Sequence, residues 1–320
     1  MDGTNLLTHE SSQRRLREHA LLPWRDRTPS KSGHPRSIAK WNNFTFRGDG
    51  SHCKRIGGSF HKLYHGNNWK DFTFEQFCAS VNMLCEPLAL RPDSLKVSKF
   101  EVAVNVIPPT QTPLVLLHIL MHRTTGSSRM PKIRTVADGI VITHGEFEFK
   151  IYDKAVDTGQ TGPILRFEVK IKKRRALERH GIKIETLEDL CSPTIWNRLH
   201  EILLTLFDEL LIVEPGLTVS GLTRKKQELL SKANDPSYWA GLSPSQRSRK
   251  RKALDELYAE HAPNGLKASL RRLIASKVEE LRAEVGINPE AHSATFSPLI
   301  TRCENVAIHG SAATAECSHP

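Results

Sequence analysis

Tyr152, Glu101, Glu168 and Arg166 are the residues whose types and spacing could do chemistry together. Each lies in a stretch that alternates apolar and polar residues, and in a strand residues i and i+2 share a face. In one stretch Phe100, Val102, Val104 and Val106 point one way while Glu101, Ala103 and Asn105 point the other. In a second, Phe147, Phe149 and Ile151 oppose Glu148, Lys150, Tyr152 and Lys154. In a third, Leu165, Phe167, Val169 and Ile171 oppose Arg166, Glu168, Lys170 and Lys172. If the apolar sets pack together, the other face collects a phenol, carboxylates, a guanidinium and several ammonium groups. An ordinary solvated sheet face, held by cross-strand Glu/Lys pairs, would have the same composition. The chemical alternative is phosphodiester transfer. A phenol becomes a nucleophile when a base, a metal or a nearby cation favours phenolate. Two carboxylates could hold Mg2+ or Mn2+ against a phosphate oxygen, and the lysines and Arg166 could clamp the others.

The elements that must position these residues read as an α+β domain. NFTFRGDG and CKRIGGSFHKLYHG alternate and are parted by the turn residues Gly48-Asp-Gly50. The apolar residues of FEQFCASVNMLCEPL recur at helical spacing, the Lys99–Val106 strand follows, and TPLVLLHILMHR predicts a second helix. GIVIT, EFEFKIYDK and ILRFEVKIKK then predict three more strands. The order β-β-α-β-α-β-β-β implies an antiparallel, ferredoxin-like sheet with helices on one face. Residues 1–38 are polar and proline-bearing and read as a flexible basic arm, 39–178 as the α+β catalytic-like domain, 179–284 as a basic helical extension and 285–320 as a disordered tail.

Charge narrows the class of partner. The 320 residues carry 46 Lys and Arg against 35 Asp and Glu, a net of +11. The excess is clustered. Lys170, Lys172, Lys173, Arg174 and Arg175 form one group and Arg247, Arg249, Lys250, Arg251 and Lys252 another. Between Leu222 and Arg282 there are 14 basic and 7 acidic residues. Such clusters suit phosphate contacts that release counterions, so DNA is the expected partner. No apolar run has the ~20 residues of a membrane helix, and the first residues lack a signal-peptide apolar region. A cytoplasmic protein without membrane contact is expected. The six cysteines show neither CxxC nor finger spacing, which argues against a zinc ribbon and a disulfide scaffold.

Phe149-Lys-Ile-Tyr-Asp-Lys154 followed by Leu165-Arg-Phe-Glu-Val-Lys-Ile-Lys-Lys173 resembles the paired motifs of rolling-circle replication initiators, the trans-acting plasmid and filamentous-phage type related to the HUH nucleases. Lys99-Phe-Glu-Val-Ala-Val-Asn105 resembles their acidic strand, and Asn234-Asp-Pro-Ser-Tyr-Trp239 a segment of their relatives. The likeness spans roughly residues 55 to 280. It implies a tyrosine that nicks one DNA strand at an origin, leaving a 5′-phosphotyrosine and a free 3′-OH, with a divalent metal assisting. Carried over by position, Tyr152 is the nucleophile, Glu101 and Glu168 are metal ligands or base, and Arg166, Lys154 and Lys170 contact phosphate. Asn105 stands where an acid would be the stronger ligand. No His-hydrophobic-His pair occurs, and no second tyrosine neighbours Tyr152. The activity implied is a metal-dependent single-strand endonuclease of DNA replication, possible as a homodimer. The alternatives are a non-catalytic nucleic-acid-binding protein of a phage or plasmid, and an assembly protein.

Other clusters suit simpler roles as well. His61 and His65 fall on one face of an expected strand, and His118 and His122 are four apart on an expected helix. Both pairs could bind metal, yet surface, core or capping roles are the commoner explanation of such histidines, and no Glu follows His118. Gly57-Gly58 reads as a bulge, and Tyr238-Trp239 as an anchor between helices more than a base-stacking pair.

Overall fold

The computed structural model describes residues 3–27, 36–49, 52–122, 132–136, 139–217 and 220–283. The architecture is α+β, with an antiparallel sheet and helices packed against it.

The chain opens with β1 (Gly3–Thr8), α1 (Glu10–Glu18), β2 (Arg25–Arg27), β3 (Arg36–Trp41), β4 (Phe44–Asp49) and β5 (His52–Ser59). Next come α2 (Phe60–His65), α3 (Phe74–Cys85), β6 (Leu95–Val106), α4 (Thr112–Leu117) and β7 (Ile119–His122). β8 (Lys132–Val136), β9 (Gly139–Thr143), β10 (Phe147–Asp153), α5 (Lys154–Thr158) and β11 (Leu165–Ile171) complete the sheet. The rest is α6 (Arg175–Glu178), α7 (Pro193–Asp208), β12 (Leu210–Ile212), α8 (Arg224–Ala233), α9 (Pro236–Gly241), α10 (Pro244–His261) and α11 (Leu266–Ala283). Strand order in the sheet is β2-β3-β4-β5-β1-β6-β11-β10-β9-β8.

Three expectations are corrected. The flexible arm is instead structured over its described residues, and β1 lies at the centre of the sheet between β5 and β6. Thr4, Leu6 and Thr8 are its buried alternate positions, which is why so short a strand holds there. His61 and His65 sit on a helix, because Ser59 caps it through the Lys62 amide at 3.1 Å and Gly66 ends it at φ 72°. The helix expected over 112–123 stops at Leu117; Ile119–His122 pairs with β12 as a small second sheet. His118 and His122 therefore share no helical face.

The apolar faces of the site strands meet α7 and α11. Phe100, Val102 and Val104 of β6, Phe167 and Val169 of β11, and Phe149 and Ile151 of β10 belong to one core with Leu203 and Phe207 of α7. The Phe167 and Phe207 rings meet edge to face at 5.5 Å. α11 is aimed by Glu214, whose buried carboxylate accepts the Leu266 and Lys267 amides at the helix start. A smaller apolar cluster joins α8, α9 and α10 through Leu229, Trp239, Leu254 and Leu257. Trp239 is 1% exposed and donates its indole N–H to the Ala233 carbonyl at 2.8 Å, an anchoring role.

Candidate active site

Register, not sequence proximity, assembles the cluster. Across β6, β11 and β10, Asn105 faces Arg166 and Arg166 faces Tyr152. One row on, Ala103 faces Glu168 and Glu168 faces Lys150; the next row is Glu101, Lys170 and Glu148. The alternation read from sequence thus puts these side chains on one face, except that Lys154, expected to share it, instead begins α5. Gly139 on β9 lies opposite Tyr152, and a Cβ there would collide with the tyrosine backbone and Cβ, so only glycine lets the strands close at this row.

At the centre is Glu168, with its side chain 3% exposed. Its Oε2 accepts the Tyr152 hydroxyl at 3.1 Å and lies 3.3 Å from Arg166 Nε. Its Oε1 accepts the Lys150 ammonium at 2.6 Å. Glu101, next along the face, takes Lys170 at 2.8 Å and Lys150 at 3.5 Å on Oε1, and the Gly3 amide at 3.1 Å on Oε2. Arg166 also donates to the Asn68 carbonyl at 2.6 Å, and Asn105 Nδ2 to the Trp69 carbonyl at 2.9 Å. The segment before α3 therefore lies over this end of the sheet. The face was expected to be open; its central acid and guanidinium are buried instead.

Burial sets the acid–base character. It pushes the Tyr152 phenol far above its ordinary value, with the Glu168 carboxylate and its hydrogen bond adding to the effect and Arg166 opposing it. Burial alone would lower the Lys150 ammonium, but the Glu168 and Glu101 charges outweigh it and raise its pKa. Lys154 is 1% exposed, pairs with Asp157 at 2.6 Å and lies 5.7 Å from the Tyr152 ring centroid. Lys150, which shares the face with Tyr152 and pairs with both acids, was placed on that face by the sequence but given no individual role. Its signal was the same period-two alternation.

A divalent ion bridging Glu101 and Glu168 needs carboxylate oxygens free to coordinate at about 2.0–2.6 Å. Each oxygen of both acids instead accepts an N–H or O–H donor, and Lys150 stands between the two carboxylates. Asn105 Oδ1 is buried without a partner among the described residues, but it lies two rows from Glu101. Among the described residues no three His, Cys, Asp or Glu side chains form a metal-holding group. This donor arrangement does not fit Mg2+ or Mn2+.

The basic clusters divide by orientation. Lys170 and Lys172 are half-buried and paired, Lys172 with the His144 carbonyl at 2.8 Å and Glu148 at 3.3 Å. Arg247 donates to the Leu242 carbonyl at 2.9 Å, and Arg251 to the carbonyls of Asp208 and Leu210 at 3.1 and 2.9 Å. Arg251 thus ties α10 to the end of α7 and to β12, whereas the Arg247 contact stays within the turn between α9 and α10. Lys173, Arg174 and Arg175 after β11, and Arg249, Lys250 and Lys252 on α10, are exposed. Among the described residues no helix is long and apolar enough to cross a membrane.

No family model matches the chain. No curated protein matches it either. Among solved structures, the chain is similar to a rolling circle replication initiator protein from Geobacillus stearothermophilus, at 11% identity and a TM-score of 0.39, over 73% of this chain and 95% of that one.

Proposed function

We propose that this protein binds DNA and cuts and rejoins one strand through Tyr152, as in the initiation of rolling-circle replication. The observation that carries this reading is the meeting of the Tyr152 hydroxyl, Glu168 and Arg166 on one sheet face, at 3.1 and 3.3 Å from the same carboxylate oxygen. In the step, Tyr152 Oη forms a bond to phosphorus as the P–O3′ bond breaks. The phenolic proton passes to Glu168 and from there to the departing 3′ oxygen, so no net proton is lost. Arg166 balances the charge that gathers on the phosphate. Rejoining is the reverse: the 3′-hydroxyl gives its proton to Glu168, attacks the phosphotyrosine and frees the phenol. The exposed cations after β11 and on α10 hold the flanking DNA.

A 3′-labelled pool of random single strands tests the chemistry, since nicking transfers label to the protein through the 5′-phosphate. Tyr152→Phe is expected to lower adduct formation by at least about a thousandfold while DNA binding persists. An adduct that survives the substitution rules Tyr152 out. The electrostatic part is tested separately by binding in a salt series. Neutralising Arg249, Lys250 and Lys252 to glutamine is expected to reduce the slope of log K against log salt by about 3, close to one for each phosphate no longer neutralised. An unchanged slope would remove α10 from the interface.

A second reading, a DNA-binding protein without catalysis, is favoured by the upward shift of the phenol and by the complete pairing of both acids. Wild-type protein that binds DNA yet forms no adduct would select it.

A further inference from the structure

We propose that the Lys150 ammonium is the resident cation of the Glu101–Glu168 pair, standing where a divalent ion would otherwise bridge them, so that the site works with protein cations alone. Its Nζ lies 2.6 Å from Glu168 Oε1 and 3.5 Å from Glu101 Oε1. A bridging ion would have to occupy the same space and strip donors from both acids. Charge opposes this too. Lys150, Lys170 and Arg166 all lie within ion-pair distance of the two carboxylates. Three fixed positive charges already exceed the two negative ones, and a further two positive charges would enter a poorly screened site. The ammonium position is itself fixed by the strands, because Lys150 and Glu168 are directly opposed across β10 and β11. Cross-strand partners on one face have Cβ atoms about 5 Å apart, within easy reach of a lysine and a glutamate.

The catalytic half of this inference rests on the proposed reading of Tyr152; the metal-binding half stands without it. In the phosphoryl step Lys150 remains an ammonium throughout. It offsets the charge of the acid pair and leaves Glu168 Oε2 to the phenol and Arg166. Removing the lysine frees Glu168 Oε1 and takes one positive charge from beside the pair, while Lys170 still holds Glu101 Oε1, which leaves a better site for a hard cation than the wild type possesses.

Electron paramagnetic resonance of Mn2+ mixed with the full chain reads this directly, since bound Mn2+ is lost from the free-ion signal. Wild type is expected to leave the signal unchanged, and Lys150→Ala to take up Mn2+. Adding Glu168→Gln to Lys150→Ala should abolish the gained site. Lys150→Met, which retains side-chain bulk, is the second variant should the alanine protein fail to fold. Mn2+ uptake by wild type that disappears in Glu168→Gln overturns the proposal. So does failure of both folded Lys150 variants to gain a site. If wild type forms the covalent adduct, EDTA is expected not to reduce it; loss in EDTA overturns the inference while leaving Tyr152 chemistry intact. A wild type that makes no adduct removes the Tyr152 reading and leaves the Mn2+ result to stand.

Discussion

Glu168→Ala is expected to destabilise the fold by about 3–5 kcal/mol, the range for breaking a buried ion pair from one side. The side chain is 3% exposed, and so is that of Arg166. Lys150, 24% exposed, is held by the same acid. Removing the carboxylate leaves these two cations without their closest counter-charge, and Arg166, unlike the partly exposed Lys150, is buried away from solvent. The Asn68 carbonyl still accepts from Arg166, but a neutral acceptor does not offset a formal charge. Because a domain of ordinary stability has only about 5–15 kcal/mol in hand, a shift of this size would be visible at once in urea. Equilibrium unfolding checks it, with the midpoint falling at an unchanged slope. A cycle with Lys150→Met separates pair from packing. The double replacement Glu168→Met with Lys150→Met should regain part of the loss, since one uncompensated cation has gone with the acid. A cost below about 1 kcal/mol for Glu168→Ala would show that the cations are hydrated when the acid is absent, as at an exposed pair.

What was legible in the sequence was the part governed by a strict local period. Lys99–Val106, Phe147–Asp153 and Leu165–Ile171 each alternate without interruption, so both the strands and their two faces followed directly. Register then brought Asn105, Arg166 and Tyr152 into one row, because each sits one residue from its strand end. Other features depend on partners distant in the chain. β1 has only six residues and is a strand because β5 and β6 flank it. Ile119–His122 continues an apolar, helix-like run, and its pairing with Leu210–Ile212 overrides the local preference. Ser59 and Gly66, a cap and a left-handed stop, were the available signal that His61 and His65 lie on a helix. The burial of the charged face had no local signal, since it comes from Asn68 and Trp69 crossing strands far away in sequence.

His200 should make the protein acid-sensitive. Its side chain projects from α7 into the core and is 2% exposed, with the Trp196 ring edge-on at 5.7 Å. Nδ1 has no partner among the described residues. Burial, aided by the Arg282 charge, lowers the imidazole from 6.5 to about 3. The sign follows from proton binding in the two states. Below the ordinary value the unfolded chain binds a proton that the native state refuses, so stability is full above 6.5 and declines as pH falls toward about 3. Each pH unit in that window costs about 1.4 kcal/mol, or roughly 2 kcal/mol by pH 5. Burial also lowers His144 and His180, which therefore act in the same direction. Their effect cancels when wild type is compared with a His200 variant. Urea unfolding of wild type and His200→Leu at pH 7 and pH 5 supplies the comparison. Wild type is expected to lose roughly 2 kcal/mol more than the variant between the two conditions, even if the variant is the less stable protein at pH 7. Equal losses would mean that the native state accepts the proton, and hence that water or a neighbouring carboxylate reaches the imidazole at the base of the sheet.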